Sequence, residues 1–396
     1  MILKSNYIYF EDGIKKGYLE IMGKKITNYY PIGTNISDYT DYTNYRLIPG
    51  IFDTHNHGTM GYALFNNKYD DPETELRGYL KGCAAAGVTS VFPTADFSMF
   101  KTIAKLANQD NDGAKILGIH SEGPYLNRVG EKGVNVSHPE INMDYVKKMV
   151  NEAEGWLKLF AIAPEIEGSQ EVVDFLTKQG IKVAYAHSDC NYDEAMSAFE
   201  RGISVSTHTA NVMSGIHHRN MGGLGACLLN PNIDCEVICD GLHINPVMLE
   251  LMFKVKKENK WMMISDSTPP AGAPEGRYKM DEFEVNIDSE GFCLSETGRL
   301  MGSTKSVLYG MSVLVNKLNM PLETVIKMAS LNPCTCYGFG NTKGSIRIGK
   351  DADIAVITDD FQAIATYSEG RKVFDKNIDT SVFNPNYLER FQVEKN

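Results

Sequence analysis

A chain of 396 residues, 43% hydrophobic and 22% charged, has the make-up of a globular, enzyme-sized protein with room for one large domain and a smaller one. Its formal net charge of -11 argues against nucleic acid or an anionic membrane surface as the main partner, but leaves room for an anionic small molecule in a local Arg/His pocket. The eight cysteines lack disulfide-like spacing, the opening MILKSNYIYF lacks a signal pattern, and no run of about eighteen apolar residues exists, so the expectation is a reduced, cytoplasmic protein that spans no membrane.

In chain order, the first stretch reads as short strands at Ile2–Phe10, Gly17–Met22 and Lys25–Tyr30, with Gly and Asp at the turns. The middle alternates. Strand candidates are Leu47–Thr54, Val88–Pro93, Lys115–His120, Leu157–Ala163, Lys182–His187, Ser204–His208, Glu236–Cys239 and Met262–Ser265. Helical patterns lie between most of them: Pro72–Ala86, His138–Val150, Gln170–Gln179, Tyr192–Arg201 and Pro246–Asn259. Asp71-Pro72 and Asn245-Pro246 read as helix starts, a capping side chain followed by proline at the first helical position. Asp281–Glu296 reads as a hairpin inserted after the eighth strand. The end is β-like again at Gly344–Ile348, Ile354–Ile357 and Arg371–Phe374.

Strands alternating with helices predict an α/β protein: a (β/α)8 TIM-like barrel over 47–340, with a small β-sandwich domain composed of 1–46 and 341–396. A doubly wound sheet would normally offer a Gly-rich first turn, which is absent.

In such a barrel the C-terminal strand ends face the active site. Here most predicted strands end at or near a side chain that binds metal or moves protons: His55 and His57, Glu122, His187, His208, Asp240 and His243, and Asp266. Alternation along a strand puts His55 and His57 on one face, within reach of one ion. Glu122 lies between small residues that let the chain turn and leave its carboxylate free; taken alone, the motif favours an exposed loop glutamate over a ligand. His187 and His208, on adjacent strands beside that carboxylate, suit ligation better than two separate core histidines. Asp266 can take a proton from an activated water and return it to a leaving group, although Thr268-Pro269-Pro270 also suits a capping aspartate. Within Ser204–Arg219 a short β-branched run stops at His208, and a polar loop follows with Asn211, His217, His218 and Arg219. Arg219 offers a planar fork of donors for a phosphate or carboxylate, and His243 can polarise a carbonyl.

The opening Leu47–Gly58, with Asp53-Thr54-His55-Asn56-His57, resembles the first strand of the amidohydrolase superfamily. The later stretches HSEGPYLN (His120–Asn127), AHSDCNYDEAMSAFERG (Ala186–Gly202), THTANVMSGIHHR (Thr207–Arg219), DGLHINP (Asp240–Pro246), SDSTPPAG (Ser265–Gly272), LMGS (Leu300–Ser303) and GSIRIGKDADIAV (Gly344–Val356) are similar to one family within it, the N-acetylglucosamine-6-phosphate deacetylases.

That resemblance implies a divalent metal ion, zinc or iron, one or two per subunit. Glu122, His187 and His208 would hold the principal ion, His55 and His57 would serve a second, and Asp266 would be the general acid/base. It further implies a phosphorylated N-acetyl amino sugar as substrate, met by Asn211, Val212, His218, Arg219, His243 and Met301, and a homodimer in which either subunit supplies Arg219. One departure stands out. The family's KGAH-like run is Lys132-Gly133-Val134-Asn135 here, which leaves glucosamine and galactosamine both open as the sugar. Two rivals remain. An amidohydrolase with a carboxylated lysine would need Lys158 at the end of its strand, whereas it stands at the start; a non-catalytic barrel would have shed its ligands.

Overall fold

A computed structural model of the protein describes residues 1–65, 71–127, 138–280, 283–296 and 298–393. The middle of the chain is a closed parallel barrel. Its strands are Ile51–Asn56, Val88–Pro93, Ile119–Glu122, Leu157–Ile162, Lys182–Tyr185, Ile203–Ser206, Asp234–Ile238 and Trp261–Ile264. The third to eighth pair in sequence order. The first pairs with the second, and a parallel bridge from Thr94 to His120 joins the second to the third. The ring closes through Asp266 N to His55 O at 2.9 Å and His57 N to Ser267 O at 2.7 Å. The expected barrel is present.

The predicted first strand divides. Arg46–Pro49 pairs with Ile2–Phe10 and Ile354–Ile357 in the small sheet, and Ile51–Asn56 enters the barrel. Between them Gly50 packs against Thr89 so closely that a Cβ there would overlap its side chain. The small sheet unites both ends of the chain in the order Arg371–Asp375, Ala363–Ser368, Ile354–Ile357, Arg46–Pro49, Ile2–Phe10, Gly13–Met22, Lys25–Pro31. Leu3, Leu19 and Ile26 from one end share a core with Ile354, Val356 and Tyr367 from the other. Ala363–Ser368 was not expected as a strand, its alanines having little β preference. Gly344–Ile348 makes only an isolated bridge, Phe10 to Ile346.

Inside the barrel Phe52, Phe92, Leu159, Ala184, Val205 and Met262 pack together, with Phe52 and Phe92 edge-to-face at 5.0 Å. Above this apolar plug, polar side chains gather toward the C-terminal end of the barrel. Outside, the helices lay their buried stripes on the strands. Pro72–Ala85 starts as expected, Asp71 accepting from the Glu73 and Thr74 amides ahead of proline. The expected hairpin after the eighth strand is a three-stranded antiparallel sheet, Gly276–Met280, Phe283–Ile287 and Cys293–Ser295. The last helix, Pro385–Phe391, packs on that insert through Tyr387 against Tyr278.

Candidate metal centre

The first strand carries a bulge. Its register on the second strand runs Asp53 to Val91, then Asn56 to Pro93, so one residue is extra. The bulge lets two consecutive side chains, Thr54 and His55, meet the same inward group, Glu236, which simple alternation would forbid. His55 and His57 still converge as expected, their Nε2 atoms 3.3 Å apart.

Three further side chains are delivered from strained backbone. His187 (φ 45°), His208 (φ 27°) and Asp266 (φ 49°) all lie in the left-handed region just past the fifth, sixth and eighth strands. Non-glycine residues adopt that region at a cost of about 1–3 kcal/mol, and such strain concentrates at functional sites. Here it turns each side chain over the mouth. Gly123 (φ 90°) performs the same turn after Glu122 without a Cβ penalty.

The result is two nests that share one carboxylate. Glu122 Oε1 lies 3.1 Å from His187 Nε2 and 2.9 Å from His208 Nε2, and those two nitrogens are 3.1 Å apart. Glu122 Oε2 lies 3.1 Å from His57 Nε2 and 3.7 Å from His55 Nε2. Asp266 Oδ1 completes the second nest, 3.4 Å from His57 and 3.5 Å from His55. Tetrahedral ligands at 2.0–2.1 Å from a zinc ion stand about 3.3 Å from one another. The nests have that spacing, and opposed ring nitrogens cannot all hydrogen-bond to each other. The donor set therefore fits a divalent ion in each nest: Glu122, His187 and His208 in one, His55, His57 and Asp266 in the other.

The electrostatics agree. Burial would lower the basicity of His55 and His57, but Asp266 and Glu122 outweigh it, raising His55 well above its ordinary value and His57 to about 9. Burial likewise opposes ionisation of Asp266, yet His55 and His57 hold it down at about 2. Burial opposes ionisation of Glu122 too, but His55, with hydrogen bonds from His187 and His208, holds it well below the usual carboxylate range. The anions are thus ionised, and protons on the imidazoles occupy the charge role that a divalent ion would take over.

The other expected site residues divide. His243 sits at the mouth, half its ring used by Asp240, whose Oδ2 is 2.6 Å from Nδ1. Asn211 packs back on the metal loop, its backbone and side-chain nitrogens donating to His208 O at 2.9 and 3.3 Å. Val212 is left-handed (φ 50°), unusual for a β-branched residue. Met301 lies on the segment that returns beside Asp266, where Ser303 N donates to Asp266 O at 3.0 Å. His218 and Arg219 are exposed on a tight turn, where Arg219 Nη1 is 2.8 Å from His218 Nε2. Val134 and Asn135 lie outside the described residues.

Sequence reasoning did not single out a buried supporting layer. Glu236 meets Thr54 and His55; Asp53 accepts from Ser265 Oγ at 2.5 Å; His120 stacks edge-on to His55 at 4.5 Å. The available signal was Glu236 itself, an acid in the midst of the apolar run of the seventh strand.

With this geometry in view, similarity to known proteins is informative. Residues 46–374 match the amidohydrolase family. The chain is 32% identical over 337 residues to the N-acetylglucosamine-6-phosphate deacetylase of Vibrio furnissii, covering 83% of each. It is 31% identical over 323 residues to the N-acetylgalactosamine-6-phosphate deacetylase of Escherichia coli O157:H7, covering 78% of this chain and 83% of the other. The solved structure of N-acetylglucosamine-6-phosphate deacetylase from Pasteurella multocida superposes with a TM-score of 0.84 at 27% identity, covering 94% of this chain and 99% of that one. The chain belongs to the amidohydrolase family, in the N-acetylglucosamine-6-phosphate deacetylase group of these metal-dependent amide hydrolases.

Proposed function

We propose that this protein hydrolyses the acetamide of N-acetylglucosamine 6-phosphate, releasing acetate and glucosamine 6-phosphate. The observation that carries the reading is the pair of nests sharing Glu122, with Asp266 facing His55 and His57 at the barrel mouth. Glu122, His187 and His208 would hold one divalent ion, and His55, His57 and Asp266 a second. Their nitrogen and oxygen donors suit zinc or iron. A bound ion supplies Lewis acidity, which makes a water more acidic and polarises the amide carbonyl. Asp266, ionised, accepts the proton that water loses as its oxygen attacks the carbonyl carbon. As the C–N bond breaks, Asp266 returns that proton to the departing nitrogen. His243, held by Asp240, hydrogen-bonds the carbonyl or a sugar hydroxyl, and Met301 lines the sugar.

Asn211 and the backbone of Val212 meet the phosphate. Left-handed conformations at Ala210 (φ 88°) and Val212 (φ 50°) support this, since such turns make concave, anion-binding backbone. Arg219 and His218 complete the clamp across a homodimer. Their exposure within one chain supports that arrangement. So does an apolar stripe on Pro246–Val255, where Val247 is 74%, Leu251 50% and Val255 46% exposed. Eight free cysteines support a reducing, cytoplasmic setting, and among the described residues no helix is long and apolar enough to cross a membrane.

A second reading, the galactosamine epimer as substrate, is favoured by the departure at Val134-Asn135 and by the E. coli relative. Acetate release from N-acetylglucosamine 6-phosphate, its galactosamine counterpart and both unphosphorylated sugars separates the readings. The glucosamine phosphate is expected to be turned over fastest, and a faster galactosamine phosphate would establish the epimer instead. Arg219→Ala is expected to raise KM for the phosphorylated sugar by about 10- to 100-fold with a smaller change in kcat, since a charged hydrogen bond is worth about 1.5–3 kcal/mol. Equal rates on phosphorylated and plain sugars would remove the clamp.

A further inference from the structure

We infer that Glu236 is a positioning residue that makes the His55–His57–Asp266 nest competent to hold its ion, an inference that rests on the two-ion reading above. Glu236 stands in the seventh barrel strand and is wholly buried. Its Oε1 accepts from Thr54 Oγ1 at 2.7 Å, and its Oε2 lies 3.3 Å from His55 Nδ1. Among the described residues no lysine or arginine pairs with it; its one ionic partner is His55. A buried carboxylate without a fixed cation is costly unless something beyond its hydrogen-bond partner supplies positive charge.

His55 transmits that demand. With its Nδ1–H donated to Glu236, the His55 ring is held in the tautomer that leaves the Nε2 lone pair free, and Nε2 is the atom that faces His57, Asp266 and Glu122. The strand bulge is what allows this. It brings Thr54 and His55 to the same carboxylate, one to orient it and one to receive its influence. Among the described residues the other nest has no equivalent. Both His187 and His208 have Nδ1 atoms that are buried and, among the described residues, without a hydrogen-bond partner. The two nests are therefore unequal, and Glu236 acts on only one of them.

Zinc binding to the metal-free protein, measured by competition with a chromophoric chelator and by metal analysis after gel filtration, tests this. Wild-type protein is expected to bind two equivalents. Glu236→Gln keeps the size and the Thr54 contact but removes the charge. It is expected to weaken one equivalent by about 10- to 100-fold, as loss of an outer-layer partner of a ligating histidine does, and to leave the other within a factor of three. That unchanged equivalent also reports an intact barrel. Two equivalents bound by Glu236→Gln as tightly as by wild type would overturn the role of Glu236, as would equal weakening of both. A wild-type protein that binds a single equivalent would instead overturn the two-ion reading, so the two failures are distinct. Should Glu236→Gln not fold, Glu236→Asp carries the same test. Its shorter reach is expected to weaken the same single equivalent, and unchanged binding of both equivalents would overturn the role.

Discussion

Asp266→Asn is expected to lower kcat by about 100- to 10,000-fold while leaving KM within a factor of a few. The amide has the size of the carboxylate, and the backbone that presents it is tied at both sides. Asp266 N donates to His55 O at 2.9 Å, and Asp266 O accepts from Ser303 N at 3.0 Å. The left-handed turn at Asp266 suits asparagine as well as aspartate, so the loop keeps its shape. What is lost is the ability to take a proton from water and to return it to the nitrogen, two transfers through one group. Steady-state acetate release, with metal content measured on the same samples, separates this loss from loss of an ion. Near-normal turnover in a metal-loaded Asp266→Asn protein would remove Asp266 from the proton path.

Glu122→Ala is expected to have the larger effect on metal. Each of its oxygens faces a different nest, Oε1 toward His187 and His208, Oε2 toward His57. Removing it leaves four imidazoles around the mouth with Asp266 as the remaining acid among the clustered side chains. Affinity in both nests should fall by more than the 10- to 100-fold typical of an outer-layer change, to roughly the point where purified protein retains no stoichiometric metal. Activity should fall with it. Chelation should then lower the melting temperature of wild type, because an ion that binds only the folded state stabilises it, and should leave that of Glu122→Ala unchanged. His55→Ala, by contrast, should affect one nest and spare the other. Retention of two equivalents by Glu122→Ala would show that the carboxylate is not shared.

Much of this was legible in the sequence because the barrel is regular where it matters. Apolar runs such as Leu157–Ile162 and Trp261–Ile264 mark strands, and helix starts such as Asp71 before Pro72–Ala85 and Asn245 before Pro246–Val255 are written in single capping residues. The polar strand ends then line up by topology alone. What was hidden depends on departures from regularity. Gly222–Leu229 is a helix of glycine, alanine, leucine and cysteine, buried almost all round, and so has no polar face to betray its period. Val307–Leu318 was missed for a related reason, its apolar residues running nearly continuously. The first-strand bulge, and with it the joint contact of Thr54 and His55 to Glu236, breaks the very alternation from which the HxH motif was read. The left-handed turns at His187, His208 and Asp266 carry no glycine to announce them; tertiary structure holds them there. Arg219 reads in the sequence as a candidate anion-binding side chain, yet within one chain it is exposed on its turn beside His218.

Diffraction data collected at the zinc absorption edge from zinc-loaded crystals test the shared-carboxylate centre most directly. Two anomalous peaks are expected, one enclosed by Glu122, His187 and His208 and the other by His55, His57 and Asp266, with the Glu122 carboxylate between them. A single peak, or zinc found away from these six side chains, would contradict the account.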